Sequence, residues 1–515
     1  MCIRDRENNF CILNSNAKFQ QGTLSEGNLK FVGDGGNNWD EISSTFAVSS
    51  GKWYWEVQFL TIQQTNSNIA GIRQTATQLK SDGKWYGGST AVSNIGVVFG
   101  VMDVNGLVTN ADGSGTLSMA IAAEDIVQFR LDLDDNELSV SVDGTDKGKA
   151  WDITANIEYT PSSTLYNSSS VIYNFGQDST FLGDKTATTN SDANGFGEFH
   201  SAVPSGYLAL CTGNLTEPDI GSNSGADEQS TDYFNTIIYS GTNAATRTFD
   251  IGFVSDFSWF KARNQDGYGH QLFTSVQGPG KFLQQGTGTE QTEAEGVTSF
   301  DSSGNLAIGT DAFLNEANTT MVIWNWKAGG APAATNSAGV GATPTANSVK
   351  IDGANLGSAL AGSIMATKIS ASTKAGVSIV SYTGTGTAGT VAHGLGTIPQ
   401  WYIVRCLNNS SGSDDWYVYH SGVGANAEDS EIYLNLTDGA SFDSNLPFNE
   451  TKPTSTVFSI KTLADVNQSG KKYIAYCFSD REGFSKFGRF IGTGDADGSF
   501  IYTGFKPAFV IIKCT

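Results

Sequence analysis

Apolar and polar residues alternate with a period of two through much of the first third of the chain, a pattern that predicts β-strands. In the segment 51–60, the side chains of Trp53, Trp55 and Val57 fall on one face, and mainly polar side chains fall on the other. The segment 95–101 is continuously apolar, which is typical of a strand buried on both faces. Because no long amphipathic helix accompanies these strands, we predict an all-β fold.

A β-hairpin is predicted at residues 125–142. Residues 125–133 alternate, the turn residues Asp134–Asn136 follow, and residues 137–142 return with the same alternation. Asp and Asn accept the backbone angles that a tight turn needs. A further strand is predicted at 171–176.

An internal duplication follows this region. The Tyr-Ser-Gly-Thr motif at Tyr239 recurs as Tyr-Thr-Gly-Thr at Tyr382 and, with phenylalanine first, at Phe490. Each copy leads to a segment that begins with an aromatic residue and carries a basic one: Trp259–Lys261, Trp401–Arg405 and Phe509–Lys513. We align the three leading aromatic residues with one another.

The ends of the first two copies match as well. Residues 315–326 and 467–478 align without a gap, and Asn318 corresponds to Gly470. Asn and Gly are the residue types that best accept a left-handed turn. The period of the duplication exceeds the roughly 20–50 residues of solenoid repeats, so we predict that each copy is a small β-sandwich with its own core.

These patterns divide the chain into consecutive segments. They are a non-native or disordered leader (1–19), a β-sandwich (20–180), a connector that contributes one strand (181–235), a first repeat (236–326), an extended linker rich in Ala, Gly, Ser and Thr (327–378), a second repeat (379–479) and the start of a third (480–515). A third copy that ended after its second strand would leave an open sheet edge, so we expect truncation there. The first six residues suggest a missing N-terminus as well.

The amino-acid composition argues against several classes of protein and of partner. Charged residues make up 16% of the chain and aromatic residues 11%, which argues against a disordered protein. The formal net charge of −22 argues against nucleic acid and anionic membranes as partners, since both attract basic surfaces. We find no signal peptide and no apolar run long enough to insert into a membrane.

Candidate catalytic and metal-binding groups are sparse. The six cysteines form no CxxC pair and only four histidines exist, so we predict no metal and no cofactor. Glu56 stands alone in its strand, without the second carboxylate of a glycosidase, and His270 and His420 lack a GxSxG motif. The acids of Asp132–Glu137 are interpreted as solvated turn residues, with a calcium site as the alternative. We therefore predict that the protein is not an enzyme.

Exposed aromatic residues are stronger candidates for a binding site than the acidic residues and histidines. Trp85 and Tyr86 lie in a polar, glycine-framed insert, and such loops on a rigid scaffold can stack on a sugar or clamp a peptide. The alternative is that the pair packs over the sandwich edge. Trp39 and Asp40 follow a similar Gly-Gly-Asn-Asn segment. We predict ligand contacts from these four residues.

Three motifs, in order, resemble the SPRY domain family. They are the strand Gly51–Val57 (GKWYWEV), the hairpin Asp132–Gly144 and the late Asn174–Gly176 turn. The resemblance covers about residues 28–180 and implies a concanavalin A-like β-sandwich whose loops bind peptides. Leu79–Val92 is a long insert relative to that pattern.

The tandem copies, over roughly residues 200–515, resemble repeat modules of tail-associated structural proteins of marine tailed bacteriophages. This resemblance implies a tail fibre or appendage subunit that is made in the host cytoplasm and located in the virion. Its partners would be other virion tail proteins and a host surface glycan or protein, and a homo-oligomer is compatible with that role. Two alternatives stay open. One is a tail-spike glycan depolymerase, which an acid pair facing one groove of the sandwich would favour, and the other is a SPRY-type peptide-binding interaction protein.

Overall fold

The computed structural model of the chain describes residues 9–19, 21–36, 39–63, 68–75, 98–102, 108–110, 121–155, 157–215, 220, 228–408, 415–423, 427–442, 447–490, 501 and 503–514. Strands dominate these ranges, and the helical elements found there are α1 (Ala312–Asn315), α2 (Ala464–Asn467) and 3₁₀ turns at Ser230–Asp232, Ser421–Val423 and Ala427–Asp429. The predicted all-β class is confirmed. Across the same ranges, no helix has the length and apolar character that crossing a membrane requires.

The chain divides into two compact units. Unit 1 consists of Met1–Thr216 with Arg489–Tyr502, and unit 2 consists of Glu217–Gly488 with Thr503–Thr515. Each unit is described by itself below.

Unit 1 is a β-sandwich. Its strands are β1 (Leu13–Phe19), β2 (Thr23–Ser25), β3 (Lys30–Val32), β4 (Trp39–Ser44), β5 (Lys52–Thr61), β6 (Asn68–Gln74), β7 (Val98–Met102), β8 (Val108–Asn110), β9 (Ile126–Asp132), β10 (Glu137–Val142), β11 (Thr145–Asp152), β12 (Tyr159–Tyr166), β13 (Ser170–Asn174) and β14 (Leu208–Ala209). The first sheet has the order β1-β4-β12-β6-β7-β8 and the second β11-β10-β9-β5-β13-β3-β2, with β14 parallel to β5. One hydrophobic core contains side chains from both sheets, which makes the unit a two-layer sandwich.

The predicted alternation along β5 is confirmed. Trp53, Trp55 and Val57 join the core, and the ring of Trp55 stacks on that of Phe129 with centroids 5.2 Å apart. The predicted hairpin is present as β9 and β10, and its turn includes Asn136 in the left-handed region (φ 57°). β7 pairs with β6 and β8, whereas the burial of segment 95–101 lies outside the described residues.

Unit 2 contains both complete repeats. Its strands are β15 (Phe234–Ser240), β16 (Arg247–Asp250), β17 (Phe257–Ala262), β18 (Gln271–Thr274), β19 (Lys281–Gln284), β20 (Gln291–Thr292), β21 (Val297–Phe300), β22 (Asn305–Ile308), β23 (Thr320–Trp326), β24 (Val349–Ile351), β25 (Ala354–Asn355), β26 (Ala366–Ser372), β27 (Val377–Thr383), β28 (Gly389–Ala392), β29 (Trp401–Cys406), β30 (Tyr417–His420), β31 (Ile432–Tyr433), β32 (Val457–Ile460) and β33 (Lys472–Phe478). The first repeat has a large sheet, β15-β23-β17-β18-β19-β20, and a small one, β16-β22-β21. The second has a large sheet, β25-β24-β26-β27-β33-β29-β30-β31, and a small one, β28-β32.

The two repeats share an unusual set of hydrogen bonds around a buried asparagine. In the second repeat, the Asn467 side chain accepts a hydrogen bond from the Thr385 backbone N–H (2.9 Å) and donates to the carbonyl oxygens of Thr387 (2.7 Å) and Lys461 (2.8 Å). The hydroxyl group of Tyr382 donates to the carbonyl oxygen of Val466 at 2.6 Å. The side chain therefore ties the end of β27 to the helical turn before β33.

The first repeat reproduces this arrangement. Asn315 accepts from the Thr242 backbone N–H (3.0 Å) and donates to the carbonyl oxygens of Ala244 (3.0 Å) and Gly309 (2.8 Å). Tyr239 donates to the carbonyl oxygen of Leu314 at 2.6 Å, as Tyr382 does in its own repeat. The corresponding residues Asn318 (φ 68°) and Gly470 (φ 77°) both adopt the left-handed backbone that their types suggested.

The alignment of the leading aromatic residues needs a correction. Phe257 lies opposite Trp326 in the ladder, and Trp401 lies opposite Phe478, the residue that corresponds to Trp326. Phe257, rather than Trp259, is therefore the equivalent of Trp401. The error arose because both residues are aromatic and are separated by one full strand period.

Each repeat has its own core between its large and small sheets, and the two large sheets share a further apolar layer. In this layer the ring of Phe257 lies 5.0 Å from that of Tyr476, and the ring of Trp326 lies 6.5 Å from that of Phe478. β33 is buried at every position from Tyr473 to Phe478 because both of its faces are covered. We call this layer the inter-sheet layer; the sequence patterns did not predict it.

The segment 327–378 differs from the extended linker that we expected. It contributes β24, β25 and β26, and β26 pairs antiparallel with β27. Its start is held by the buried carboxylate of Asp256, which accepts hydrogen bonds from the backbone N–H groups of Ala328 (2.8 Å) and Gly330 (3.0 Å). Small side chains allow close packing here, since a Cβ on Gly329 would lie 2.3 Å from the Lys350 carbonyl oxygen.

The start of the predicted third copy, within its described residues, forms no strand. Phe509, which corresponds to Phe257 and Trp401, instead packs on the rings of Trp324 (5.3 Å) and Trp326 (5.2 Å) at the rim of the inter-sheet layer. The described residues 503–514 thus form an extended segment of unit 2.

Replacement of Asn467 by alanine should destabilise unit 2. The change removes three hydrogen bonds, with the Thr385 N–H and the carbonyl groups of Thr387 and Lys461, and each bond contributes about 0.5–1.5 kcal/mol to stability. The free energy of unfolding, measured by urea titration with tryptophan fluorescence, should fall accordingly. Gln285→Ala, which removes an exposed amide side chain in the same unit, is the control and should leave the midpoint nearly unchanged. Equal midpoints for both variants would show that the asparagine does not hold the repeat.

Candidate functional site

A cleft with a volume of about 750 Å³ opens on unit 1 beside the start of β9. The loop residues Ala123–Ile126 and the turn Asp143–Gly144 form one wall, and Lys185 with His200–Ala202 form the other. Clefts with a few convergent polar groups are common binding sites. The two walls come from distant parts of the chain, so the question is what holds them in place.

One wall is held by the buried side chain of Glu56 in β5. This carboxylate lies on the face of the sheet that points away from the sandwich core, and it is covered by the segment after β13. The backbone N–H groups of His200 (2.9 Å) and Ser201 (2.8 Å) donate to it, as do the Tyr54 hydroxyl (3.0 Å) and the Asn174 amide (3.1 Å). Glu56 therefore fixes the backbone of the two residues that line the cleft.

Glu56 is completely enclosed, with 0% of its surface exposed. Burial raises the pKa of its carboxyl group, and the hydrogen bonds from His200, Ser201, Tyr54 and Asn174 oppose that shift. Because all of these donors belong to the protein, the carboxylate is a positioning group and does not face the cleft.

The same segment covers more of the sheet. The ring of Phe199 meets that of Tyr54 edge-on at 5.0 Å, and β14 pairs with the first residues of β5. The sequence was interpreted as a connector that contributes a strand, and β14 is that strand. Its packing makes the segment a third layer on this face of unit 1.

The opposite wall is built from two tight turns. The backbone N–H of Ala122 donates to Asp125 (2.7 Å), and that of Ile126 donates to Asp143 (2.9 Å). Glu124 (φ 73°) and Asp143 (φ 45°) both adopt the left-handed region, which is uncommon outside glycine. Strained backbone of this kind is often found where a loop presents groups to a ligand.

The cleft carries both signs of charge. Burial raises the pKa of Asp125, the Ala122 backbone N–H lowers it, the Asp143 charge raises it further, and nearby Lys185 lowers it. The Lys185 ammonium also lies 3.5 Å from the Asp184 carboxylate. His200 contributes a ring whose Nδ1 lies 3.1 Å from the carbonyl oxygen of Ser179. These groups can accept and donate hydrogen bonds to hydroxyl or amide groups of a ligand.

The predicted site residues lie elsewhere. Trp39 and Asp40 are in β4 of the first sheet, whereas the cleft is formed by loops of the second sheet and its covering segment. Trp85 and Tyr86 lie outside the described residues. Thus the described part of the chain does not bring the predicted residues together with the cleft.

Trp39 and Asp40 make structural contacts at the start of β4. The half-buried ring of Trp39 packs on Tyr166 with centroids 5.0 Å apart. The Asp40 carboxylate is fully buried and accepts hydrogen bonds from the backbone N–H groups of Gly22 (2.7 Å) and Asp34 (2.8 Å). Burial raises the pKa of Asp40, and the backbone donors oppose the shift.

The acidic hairpin turn is neutralised within the protein. Lys52 lies 2.5 Å from the Asp132 carboxylate and 3.1 Å from that of Asp135, and Lys149 lies 3.0 Å from Glu137. In the described ranges, no group of three or more His, Cys, Asp or Glu side chains could hold a metal ion. Asp132, Asp135 and Glu137 therefore act as ion-pair partners, and Asp134 accepts a hydrogen bond from the Gly51 backbone N–H (3.0 Å).

The histidines considered as catalytic residues are used in packing. His270 accepts a hydrogen bond from the Trp259 indole N–H at 2.9 Å, and His420 accepts one from the Gly422 backbone N–H at 2.9 Å. Burial lowers the pKa of both rings. His393 is also buried, which lowers its pKa to about 4.

Sequence reasoning missed the cleft. The available signal was the Asp143–Gly144 pair, whose residue types favour left-handed turns, together with Asp125 directly before a predicted strand. Neither signal reveals that Lys185 and His200 lie beside these turns, because the backbone at His200 is held by Glu56, which is distant in sequence, and that at Lys185 by Thr180.

Comparisons with known proteins give a family and two similar folds. Residues 229–350 and 350–515 match the family described as a domain of unknown function (DUF7483). No curated protein matches the chain significantly. The SPRY domain of human HERC1 is 16% identical and covers 31% of this chain and 96% of its own, with a TM-score of 0.25. The PSpry domain of TRIM65 is 14% identical and covers 32% of this chain and 89% of its own, with a TM-score of 0.23. Both of these solved structures are SPRY domains, and the role in a phage tail stays a prediction.

Replacement of Glu56 by glutamine should loosen the cleft wall. Glutamine replaces one carboxylate oxygen with an NH₂ group, which would then face hydrogen-bond donors of the protein. The lost acceptor lowers the folding stability by about 1–3 kcal/mol. Hydrogen exchange at the amides of His200 and Ser201 should accelerate, and the melting temperature of unit 1 should fall. Glu198→Gln is the control, because it makes the same change at an exposed carboxylate in the same segment. Unchanged exchange in Glu56→Gln would exclude the positioning role.

Proposed function

The chain belongs to the family of the domain of unknown function DUF7483, and we propose that it is a non-enzymatic binding protein whose unit 1 holds a hydroxyl-rich ligand, such as a surface glycan. The observation that carries this proposal is the cleft beside β9, which presents Asp125, Asp143 and Lys185 on fixed backbone. Carboxylate and ammonium groups together form hydrogen bonds with the hydroxyl groups of a sugar.

Preorganisation supports a binding role. Both walls of the cleft are set before a ligand arrives, one by the buried Glu56 carboxylate and the other by the Asp125 and Asp143 turn bonds. A fixed site loses less conformational entropy on binding than a flexible loop does. The cleft therefore fits recognition of a ligand by shape and hydrogen bonding.

Unit 2 is assigned the role of a carrier. Two repeats that share an apolar layer form one packed body, and such a body suits the display of a binding module. We therefore place the protein in a phage tail, as a fibre or appendage subunit made in the host cytoplasm, with other tail proteins and a host surface glycan or protein as partners. The resemblance of the repeats to tail-associated modules supports this placement.

A glycan depolymerase is the second candidate, because an acid pair does face the cleft. Two carboxyl groups that act on a glycosidic bond stand about 5–9.5 Å apart, with the sugar between them. Both carboxylates are used in turn hydrogen bonds, Asp125 with the Ala122 N–H (2.7 Å) and Asp143 with the Ile126 N–H (2.9 Å). These bonds hold both groups in the wall of the cleft, which favours binding over hydrolysis.

The binding proposal predicts loss of affinity in a cleft variant. The full chain carrying Asp143→Asn and Lys185→Ala should bind its glycan about tenfold more weakly or worse, since hydrogen bonds to charged groups contribute about 1.5–3 kcal/mol each. A glycan array followed by titration of the best ligand measures this loss. Lys147→Ala, at an exposed lysine outside the cleft, should bind as the wild type does.

Other outcomes separate the alternatives. A Trp85→Ala, Tyr86→Ala double variant that loses binding while the cleft variant keeps it would move the site to the aromatic insert. Binding to a peptide array alone would favour a peptide-binding protein, and release of reducing ends from the glycan would favour the depolymerase.

The virion assignment predicts that the protein copurifies with phage particles. Peptides of the chain should be found by mass spectrometry of gradient-purified virions, and gold-labelled antibodies against unit 2 should mark the tail. A host cytoplasmic protein carried along in the preparation serves as the control. Detection only in the unassembled fraction of the lysate would contradict the assignment.

A further inference from the structure

A buried amide side chain connects the two walls of the cleft in unit 1. Gln128 in β9 is 2% exposed. Its Oε1 accepts a hydrogen bond from the Gly144 backbone N–H (3.2 Å), and its Nε2 donates to the Ser201 hydroxyl oxygen (3.0 Å). Gly144 belongs to the wall built from two turns, and Ser201 belongs to the wall that Glu56 holds. One side chain is thus bonded to both walls.

A glutamine on the neighbouring strand makes a second connection. Gln58 in β5 is completely buried, and its Nε2 donates to the Asp184 carboxylate at 2.5 Å. The same Nε2 lies 3.5 Å from the carbonyl oxygen of Glu124. Glu124 lines one wall of the cleft, and Asp184 directly precedes Lys185 of the other wall.

The position of Gln128 favours a neutral amide. In the ladder between β5 and β9, Gln128 lies directly opposite the buried Glu56. A carboxylate at this position would place two like charges side by side in a buried environment, which is destabilising. An amide offers a donor and an acceptor without a charge. The Gly144 N–H fixes the orientation of this amide, because only the amide oxygen can accept from it.

Gln128 can act on a ligand only through its partners. It is almost completely buried and is not among the residues that line the cleft. Ser201 lies 73 positions away along the chain, and its backbone N–H is already held by Glu56. The bond from Gln128 to the Ser201 side chain therefore ties the Gly144 turn to a fixed point on the opposite wall.

We propose that Gln128 is a positioning residue that sets the separation of the two walls, and that this separation determines how tightly the cleft binds a glycan. The second part rests on the proposed function. Without Gln128 the turn would keep its bond between Ile126 and Asp143 but lose its connection to the other wall. Asp143 and Lys185 would then have to be ordered by the ligand, which costs conformational entropy on binding.

The separation of the walls can be measured in the full chain without a ligand. Spin labels at Lys147→Cys and Glu198→Cys, two exposed sites beside the two walls, report their distance by pulsed electron spin resonance. Cys2 and the exposed Cys514 are first replaced by serine, and the other four cysteines are buried. The distance distribution should be narrow, because the walls are bonded to each other through Gln128.

Gln128→Met keeps the length of the side chain and removes both bonds, so the distance distribution should become broader. Gln21→Met is the control, because it makes the same change at an exposed glutamine of unit 1, and the distribution should stay narrow. Ser201→Ala breaks the connection at its other end with a smaller change, and it decides the question if Gln128→Met does not fold. An unchanged distribution in the folded variants would overturn the proposal.

Binding tests the link between wall separation and function. The glycan that the wild type binds best on an array should bind about tenfold more weakly to Gln128→Met and equally well to Gln21→Met. A broader distribution with unchanged glycan affinity would overturn the claim that the separation determines binding. If the wild type binds no glycan, the proposed function fails, and the distance distributions still decide whether Gln128 positions the walls.

Discussion

The organisation of unit 2 depends on the burial of both faces of its large sheets. In β33, Tyr473 and Cys477 face the core of their own repeat, while Ile474 and Tyr476 face the other repeat. A single repeat would leave the second of these apolar faces in water. The two repeats are therefore better regarded as one body in four layers than as two domains joined by a linker. This also explains why the segment 327–378 is ordered, since β26 must extend the sheet that the inter-sheet layer requires.

In unit 1, a polar contact helps to hold a covering segment against the outer face of the second sheet. The outer face of β5 meets its cover through an apolar cluster around Tyr54 and Phe199, and Glu56 adds a buried acceptor for four donors. A buried carboxylate is costly unless it is fully hydrogen-bonded, so its partners are specified closely. The cleft is a consequence of this requirement, because the residues that satisfy Glu56 also form a wall.

Local patterns predicted the parts of the fold that depend on neighbouring residues. The alternation along β5, the turn at Asn136 and the left-handed positions at Asn318 and Gly470 each follow from a few consecutive residues. The inter-sheet layer, the strand β26 and the cleft could not be predicted in this way. They depend on contacts between distant segments, and the bond from Ser201 to Glu56, for example, spans 145 positions. The small residues of 327–378 suggested a linker, because the sequence alone does not show which distant segments they pack against.

The positions at which the chain enters and leaves the first repeat have a mechanical consequence. Phe234 at the start of β15 lies opposite Trp326 at the end of β23. Tension along the chain would therefore pull on two adjacent strand ends. The hydrogen bonds between the strands would break one at a time, and the load would not be shared by all of them. Resistance to such a pull would come from the stacked rings between the large sheets, which must separate before the strands can peel apart.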